Sequence, residues 1–279
     1  MSAMRLSEKY GTVFITGASS GLGLAYTEML LAEGLQVWGT SRDAARLREL
    51  SSREGFHPVI LDLGNPAQAE ASFRKAEQET DGGFDLVIQN AGYGLFAPFA
   101  AVDAAQWQAQ LECMVLSFAR LSHAAFSGML RRRKGTLVQV SSLAVEFPLP
   151  FMSGYNMAKA AVSALSESLM LEARGSGVVV IDFRPGDYCT DFNRAMKRGD
   201  DASLRDPRVA NAWERLEQNL REAPGASHAA RNLRRALSRG RPGIVRSGSF
   251  FQARVACAFA FLSPAPLRRL ASAIYFKVR

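Results

Sequence analysis

The sequence predicts an α/β fold, a doubly wound parallel sheet of about seven strands with helices on both faces. Three observations predict it. Short apolar, β-rich runs alternate with stretches of helical spacing along most of the chain, the pattern of strands buried on both faces. The first run ends in the glycine-rich stretch TGASSGLG at 16–23. No repeat, low-complexity tract or linker divides the 279 residues, so one large domain over 1–279 is expected.

TVFITG (12–17) reads as the first strand, and Gly21 to Ala32 as the helix after it. LQVWGT (35–40) precedes the charged helix DAARLREL, HPVILDL (57–63) precedes PAQAEASFRKAEQE, and FDLVIQN (84–90) precedes a long helix across 103–130. GTLVQVSS (135–142) is followed by a helix beginning near Ser153, then by the strand GVVVIDFRPG (177–186). Right-handed crossovers place the carboxyl ends of all these strands along one edge, where such sheets bind ligands. Residues 187–225 interrupt the alternation and are expected to lie over the substrate side as a lid, with a helix at 208–222. A helix at 226–238 and a strand around Ile244 and Val245 follow.

Apolar residues make up 48% and charged residues 22%, a globular balance. Cys113, Cys189 and Cys257 are far apart, as are His57, His123 and His228, so neither a disulfide framework nor a metal site is indicated. The start runs into the first strand without a basic region followed by an apolar one, which makes the cytoplasm the expected compartment. The net charge of +8 is uneven: no acid follows Glu222, and residues 223–279 carry eleven Arg and Lys. Residues 250–279 form a basic amphipathic extension, too short in its apolar runs to span a bilayer. Such a segment lies in a membrane interface as a peripheral contact or covers a second subunit. The basic residues match no nucleic-acid-binding module, so no nucleic acid partner is expected.

Glycines at 17, 21 and 23 let the backbone approach a phosphate, and the helix behind them offers free N–H groups and a positive dipole end. Ser19, Ser20 and Leu22 fill the same turn. The second strand ends GTSRD, with no acid at Ser41 and with Arg42 next to it. An acid there would accept a ribose hydroxyl, whereas Arg suits a 2′-phosphate. NADP is therefore expected over NAD.

Taken in order, the glycine loop, NAG at 90–92, Ser142, Tyr155 with Lys159 four residues on, and PG at 185–186 resemble the short-chain dehydrogenase/reductases, a Rossmann-type family. The resemblance covers about residues 10–190. It implies that Ser142 hydrogen-bonds a substrate carbonyl, Tyr155 exchanges the proton, and Lys159 tunes Tyr155 and holds the nicotinamide ribose. It further implies that Asp62 and Leu63 contact adenine, and that Asn90, beside Ala91 and Gly92, steadies the central sheet. Pro185, Gly186, Tyr188 and Thr190 are placed beside the nicotinamide, and a homodimer or homotetramer is implied. Physically, residues at i and i+4 share a helix face, and a nearby ammonium should lower a phenol pKa from ~10 toward the working range.

One position departs from the family pattern. Seven residues after Trp107 the family usually has an asparagine that kinks the helix and supports a water leading to the lysine; here it is Met114, a weak acceptor and no donor. Tyr93, Phe96, Leu143, Val145, Phe147, Leu149, Phe151, Tyr188 and Phe192 are expected around the substrate. They point to an apolar ketone or secondary alcohol of lipid, steroid, retinoid or polyketide type. The alternative is a cofactor-binding regulator or scaffold with weak or no turnover.

Overall fold

The apolar runs fold as parallel strands in a computed structural model that describes residues 5–192, 196–199 and 205–278. β1 (Thr12–Ile15), β2 (Gln36–Ser41) and β3 (Phe56–Ile60) are joined by α1 (Gly21–Ala32) and α2 (Ala44–Ser51), and α3 (Pro66–Gln78) leads to β4 (Leu86–Gln89). A short β5 (Leu95–Phe96) precedes α4 (Ala104–Leu111) and α5 (Ser117–Arg132), which are joined by a π-helical turn at Glu112–Leu116. Then come β6 (Gly135–Val140), α6 (Ser153–Glu172), β7 (Val178–Pro185), β8 (Lys197–Arg198), α7 (Pro207–Glu222), α8 (Ala226–Arg239) and β9 (Gly243–Ser247). A second π-helical turn (Phe251–Ala256) runs into α9 (Cys257–Leu262), and α10 (Ala265–Tyr275) follows. Residues 193–195 and 200–204 of the expected lid, and residue 279 of the extension, lie outside the described residues.

The large sheet has the order β3-β2-β1-β4-β6-β7-β9, with every neighbouring pair parallel. This is the seven-stranded doubly wound sheet that the sequence predicts. The chain winds outward from β1 to β3 and then, from β4, in the opposite direction. That reversal opens a crevice at the carboxyl ends of β1 and β4.

Alternate residues of each strand face opposite layers. Val13 and Ile15 join Leu86, Ile88 and Phe183 under α1 and α8, while Phe14 and Val87 face α3 and α5. Phe14 meets the Phe73 ring edge-on at 4.9 Å between centroids. A third apolar cluster lies above the strand ends: Phe96, Met152 and Met196 pack with Val209, Ala212, Leu216 and Leu220 of α7 and with Phe276 beyond α10. The helical stretch Ala104–Arg132 is apolar and long enough to cross a membrane, but 56% of its most apolar window is buried inside the protein, so here it is an interior helix.

Two differences from expectation bear on the site. β3 stops at Ile60 rather than 63, because the Asp62 carboxylate accepts the Gly64 N–H at 2.9 Å and turns the chain. The long helix is broken by the turn that carries Met114, so the irregularity forms without the family's asparagine.

Candidate active site

The glycine loop is built by backbone conformations that side chains oppose. Gly17 and Gly21 have φ of +69° and +53°, in the left-handed region that glycine enters at no steric cost. A Cβ on Gly23 would stand 1.9 Å from the Gly17 carbonyl oxygen, so only glycine allows the loop to close on α1. No side chain caps the start of α1, which leaves its first-turn N–H groups directed at the crevice for an anion. The loop therefore fits the pyrophosphate of a dinucleotide.

Side chains around the loop hold it in place. Ser19 Oγ donates to Ser41 Oγ at 3.0 Å, tying the loop to the end of β2. Arg42 is exposed and pairs with no acid among the described residues, while its charge reaches Tyr93 and Cys113 across the cleft. The neighbouring Asp43 is occupied as the cap of α2, accepting from Ala45 N at 2.8 Å. Asn90 Nδ2 donates to the Thr16 carbonyl at 3.1 Å, and the Thr16 hydroxyl accepts from the N–H groups of Asn90 and Ala91 at 2.9 and 3.0 Å. These bonds lock β1 to β4 at the crevice. Leu63 is buried and its carbonyl accepts from Ser117 Oγ at 2.6 Å.

Ser142, Tyr155 and Lys159 converge from the end of β6 and the first turns of α6. The Ser142 hydroxyl accepts from Ala144 N at 3.1 Å, lies 3.4 Å from the Pro185 carbonyl and is near enough to the Tyr155 phenol to act on it. Lys159 is 4% exposed; its ammonium donates to the Val140 carbonyl at 2.8 Å and sits 5.7 Å from the Tyr155 ring centre. Burial lowers Lys159 to about 8, against the attraction of Asp182. The expected lowering of Tyr155 does not occur in the chain alone. Burial raises the phenol to about 12, the nearby Ser142 hydroxyl opposes the rise, and the Asp187 charge adds to it. At neutral pH the residue is thus a proton donor.

Met114 and Lys159 both approach Gly92: a Cβ there would lie 3.1 Å from Met114 Cε and 3.7 Å from Lys159 Nζ. Pro185 is buried, Gly186 N donates to the Ser247 carbonyl at 2.7 Å, and Thr190 comes within 3.7 Å of a Cβ built on Gly21, so this segment returns to the glycine loop. Tyr188 differs from expectation. It is 3% exposed and packs into the core beneath α1 and α8, its hydroxyl 2.6 Å from Ser247 Oγ and 3.1 Å from His228 Nδ1. Those inward partners, and the apolar ring contacts, turn it away from the cleft.

Several residues of the site are not evident from motif order. Asp182 is fully buried on β7, where it accepts from Ser141, from Ser163 at 2.8 Å and from Arg184 Nε at 2.7 Å. Arg184 also reaches Glu146 at 3.1 Å and Glu167 at 2.9 Å. The spacing D-x-R within an apolar strand is the available signal, since i and i+2 share a face. On the other side Gln252 grips Asp187 twice: its side-chain N–H donates to the carboxylate, and its Oε1 accepts from Asp187 N at 3.2 Å.

Comparison with known proteins follows the same residues. The family model for short chain dehydrogenases matches residues 11–201. A serine 3-dehydrogenase of Rhizobium radiobacter is 32% identical over 195 residues, spanning 68% of this chain and 76% of that protein. A probable NADP-dependent dehydrogenase of Haemophilus influenzae is 29% identical over 75% of this chain and 82% of its own length. Among solved structures, a short-chain dehydrogenase from Streptomyces avermitilis superposes with a TM-score of 0.79 at 24% identity, covering 97% of each chain. One from Sphingobium yanoikuyae in complex with NADPH gives 0.70 at 25% identity, covering 84% of this chain and 86% of that one. In motif order, sheet topology and sequence match alike, the chain belongs to the short-chain dehydrogenase/reductase family of NAD(P)-dependent oxidoreductases.

Proposed function

We propose that the chain interconverts an apolar ketone and its secondary alcohol with NADP(H) as the preferred cofactor. The observation that carries this reading is the Tyr155 phenol, which lies beside Ser142 and belongs to the same apolar cluster as Leu149, Phe151, Phe192 and Trp213, with the Phe192 ring 6.1 Å away. The bound nicotinamide supplies or accepts the hydride. Ser142 orients the carbonyl oxygen through its hydroxyl. Tyr155 donates its proton to that oxygen in reduction, and Lys159 stabilises the resulting phenolate and holds ribose hydroxyls. The apolar wall excludes water and receives the hydrocarbon part of the substrate.

The guanidinium of Arg42, which pairs with no acid among the described residues, supports NADP, with Asp43 committed to its helix cap. The Sphingobium relative is described with NADPH. Arg42→Ala should lower the preference for NADPH over NADH by about tenfold, near 1.4 kcal/mol, as read by titrating both cofactors. Exposed Leu116, Met157 and Leu171 on the α5–α6 side support homo-oligomer formation through that surface.

A polar substrate is the second reading, favoured by Asp187. Its half-buried carboxylate lies close enough to act on Tyr155, and it would attract an ammonium group such as that of serine, the substrate named for the Rhizobium relative. The test is NADPH oxidation over a panel of cyclic and long-chain ketones, run beside NADP+ reduction with serine and other hydroxy acids. Turnover of apolar ketones supports the proposal; turnover confined to serine-like alcohols replaces it. A regulator without turnover would leave every panel flat, and Met114→Asn then asks whether the thioether that shares the Gly92 side of the cleft with Lys159 is the cause.

A further inference from the structure

The outer face of the C-terminal helices is apolar and unpartnered. In the continuous helix from Phe251 to Leu262, Ala253, Cys257 and Ala260 form the buried stripe, and Phe251, Val255, Phe259 and Leu262 recur on the opposite, exposed side. Phe250, Phe261 and Leu262 are 78%, 85% and 79% exposed. In α10 no residue is buried, and Leu267, Leu270 and Ile274 repeat at helical spacing on its exposed surface. Of the sixteen large apolar side chains exposed among the described residues, ten lie between Phe250 and Tyr275. Monomeric soluble surfaces rarely concentrate apolar groups in this way, so the face has a partner.

Charge decides which partner. Arg254, Arg268, Arg269 and Lys277 are the charged residues of 250–278, and no acid follows Glu222. A two-fold contact between copies of this chain would bring the same four cations of each copy together with no acid of the segment to pair them. An anionic bilayer meets both requirements, with acyl chains for the aromatic and leucine side chains and headgroups for the guanidinium and ammonium groups. The two helices, of twelve and eleven residues, are too short to span a membrane and suit its interface.

We propose that this face docks the chain peripherally on a bilayer containing anionic lipid. The docked surface adjoins the cleft. Gln252, one residue beyond Phe251, holds Asp187 beside Tyr155, and Phe276, just after α10, packs in the cluster that includes Met152, Leu216 and Tyr155. An apolar substrate dissolved in the bilayer would then meet the cleft without crossing water, a consequence that rests on the apolar-substrate reading; the docking does not.

The experiment is flotation of the full chain with phosphatidylcholine vesicles, with and without phosphatidylglycerol. Wild type should float with the anionic vesicles, about tenfold more than with phosphatidylcholine alone, and less at high salt. The combined variant Phe250→Ser, Phe261→Ser, Leu262→Ser changes only exposed side chains; it should keep its melting temperature and NADPH affinity while binding falls about tenfold or more. Wild type staying in the soluble fraction with anionic vesicles overturns the proposal, as does equal flotation of the variant. If the variant instead splits an oligomer by light scattering and vesicles recover neither protein, the face belongs to a second copy. NADPH affinity and turnover, measured on the same samples, report on the enzyme reading separately.

Discussion

The two walls of the cleft are held by different means. At the glycine loop, position comes first from backbone: Gly17 and Gly21 in left-handed conformations, Gly23 against the Gly17 carbonyl, and the N–H groups of Thr16 and Ala18 donating to the Ile88 and Thr40 carbonyls of the neighbouring strands. On the opposite wall, position comes from side chains distant in sequence. Gln252 fixes Asp187 across 65 residues, Phe276 closes the cluster of α7, and the Arg184 network braces β7 against α6. A backbone-built wall tolerates few residues at each point, whereas a side-chain-built wall can change composition and still close. This contrast fits a family in which the nucleotide is constant and the substrate varies.

Four substitutions sharpen or break that contrast. Tyr155→Phe acts where the walls meet, and it should reduce turnover by about a thousandfold or more with NADPH affinity nearly unchanged; stopped-flow turnover beside a fluorescence titration checks it. Near-normal turnover would remove Tyr155 from the chemistry. Gly23→Ala tests the backbone wall alone. Its Cβ has no room beside the Gly17 oxygen, so a loss of about 3 kcal/mol of stability and at least a tenfold loss of NADPH affinity are expected.

Lys159→Met has a pH signature. Burial holds the lysine near 8, against ~10.4 when unfolded. Below about pH 8 the folded chain bears the full cost of a buried ammonium. Between about 8 and 10.4 the unfolded chain keeps a proton that the folded chain has released, so stability contributed by this group rises with pH. Methionine should therefore stabilise the cofactor-free chain at pH 7 by about 2 kcal/mol, after allowance for the lost bond to the Val140 carbonyl. Urea unfolding at pH 7 and pH 10 should show that advantage shrink. Asp187→Asn should have the smallest effect. It removes a charge that raises Tyr155, so the alkaline limb of the rate profile should move to lower pH, with turnover at pH 7 changed only a few-fold.

Much of the nucleotide side is legible in the amino-acid order. The glycine turn and α1 follow from residues adjacent in the chain, and the helix spans Gly21–Ala32 as its spacing predicts. The i, i+4 pair Tyr155 and Lys159 likewise lies on one helix, so α6 alone brings both to the cleft. Less is legible where a partner comes from afar. Tyr188 reads as a cleft residue from its place after PG, yet Ser247 and His228 draw it inward. Asp182 and Arg184 look like interruptions of an apolar strand until Ser141, Ser163, Glu146 and Glu167 converge on them.

The sequence by itself determined the strand and helix order, the glycine turn and the family, because each rests on short-range periodicity or on glycines whose backbone freedom is a local property. Only the tertiary structure decided the protonation of Tyr155 and Lys159 and the exposure of the tail. Burial raises Tyr155 and lowers Lys159, and it leaves ten large apolar side chains between Phe250 and Tyr275 on the surface. Desolvation depends on everything packed around a group, and that is a property of the folded chain.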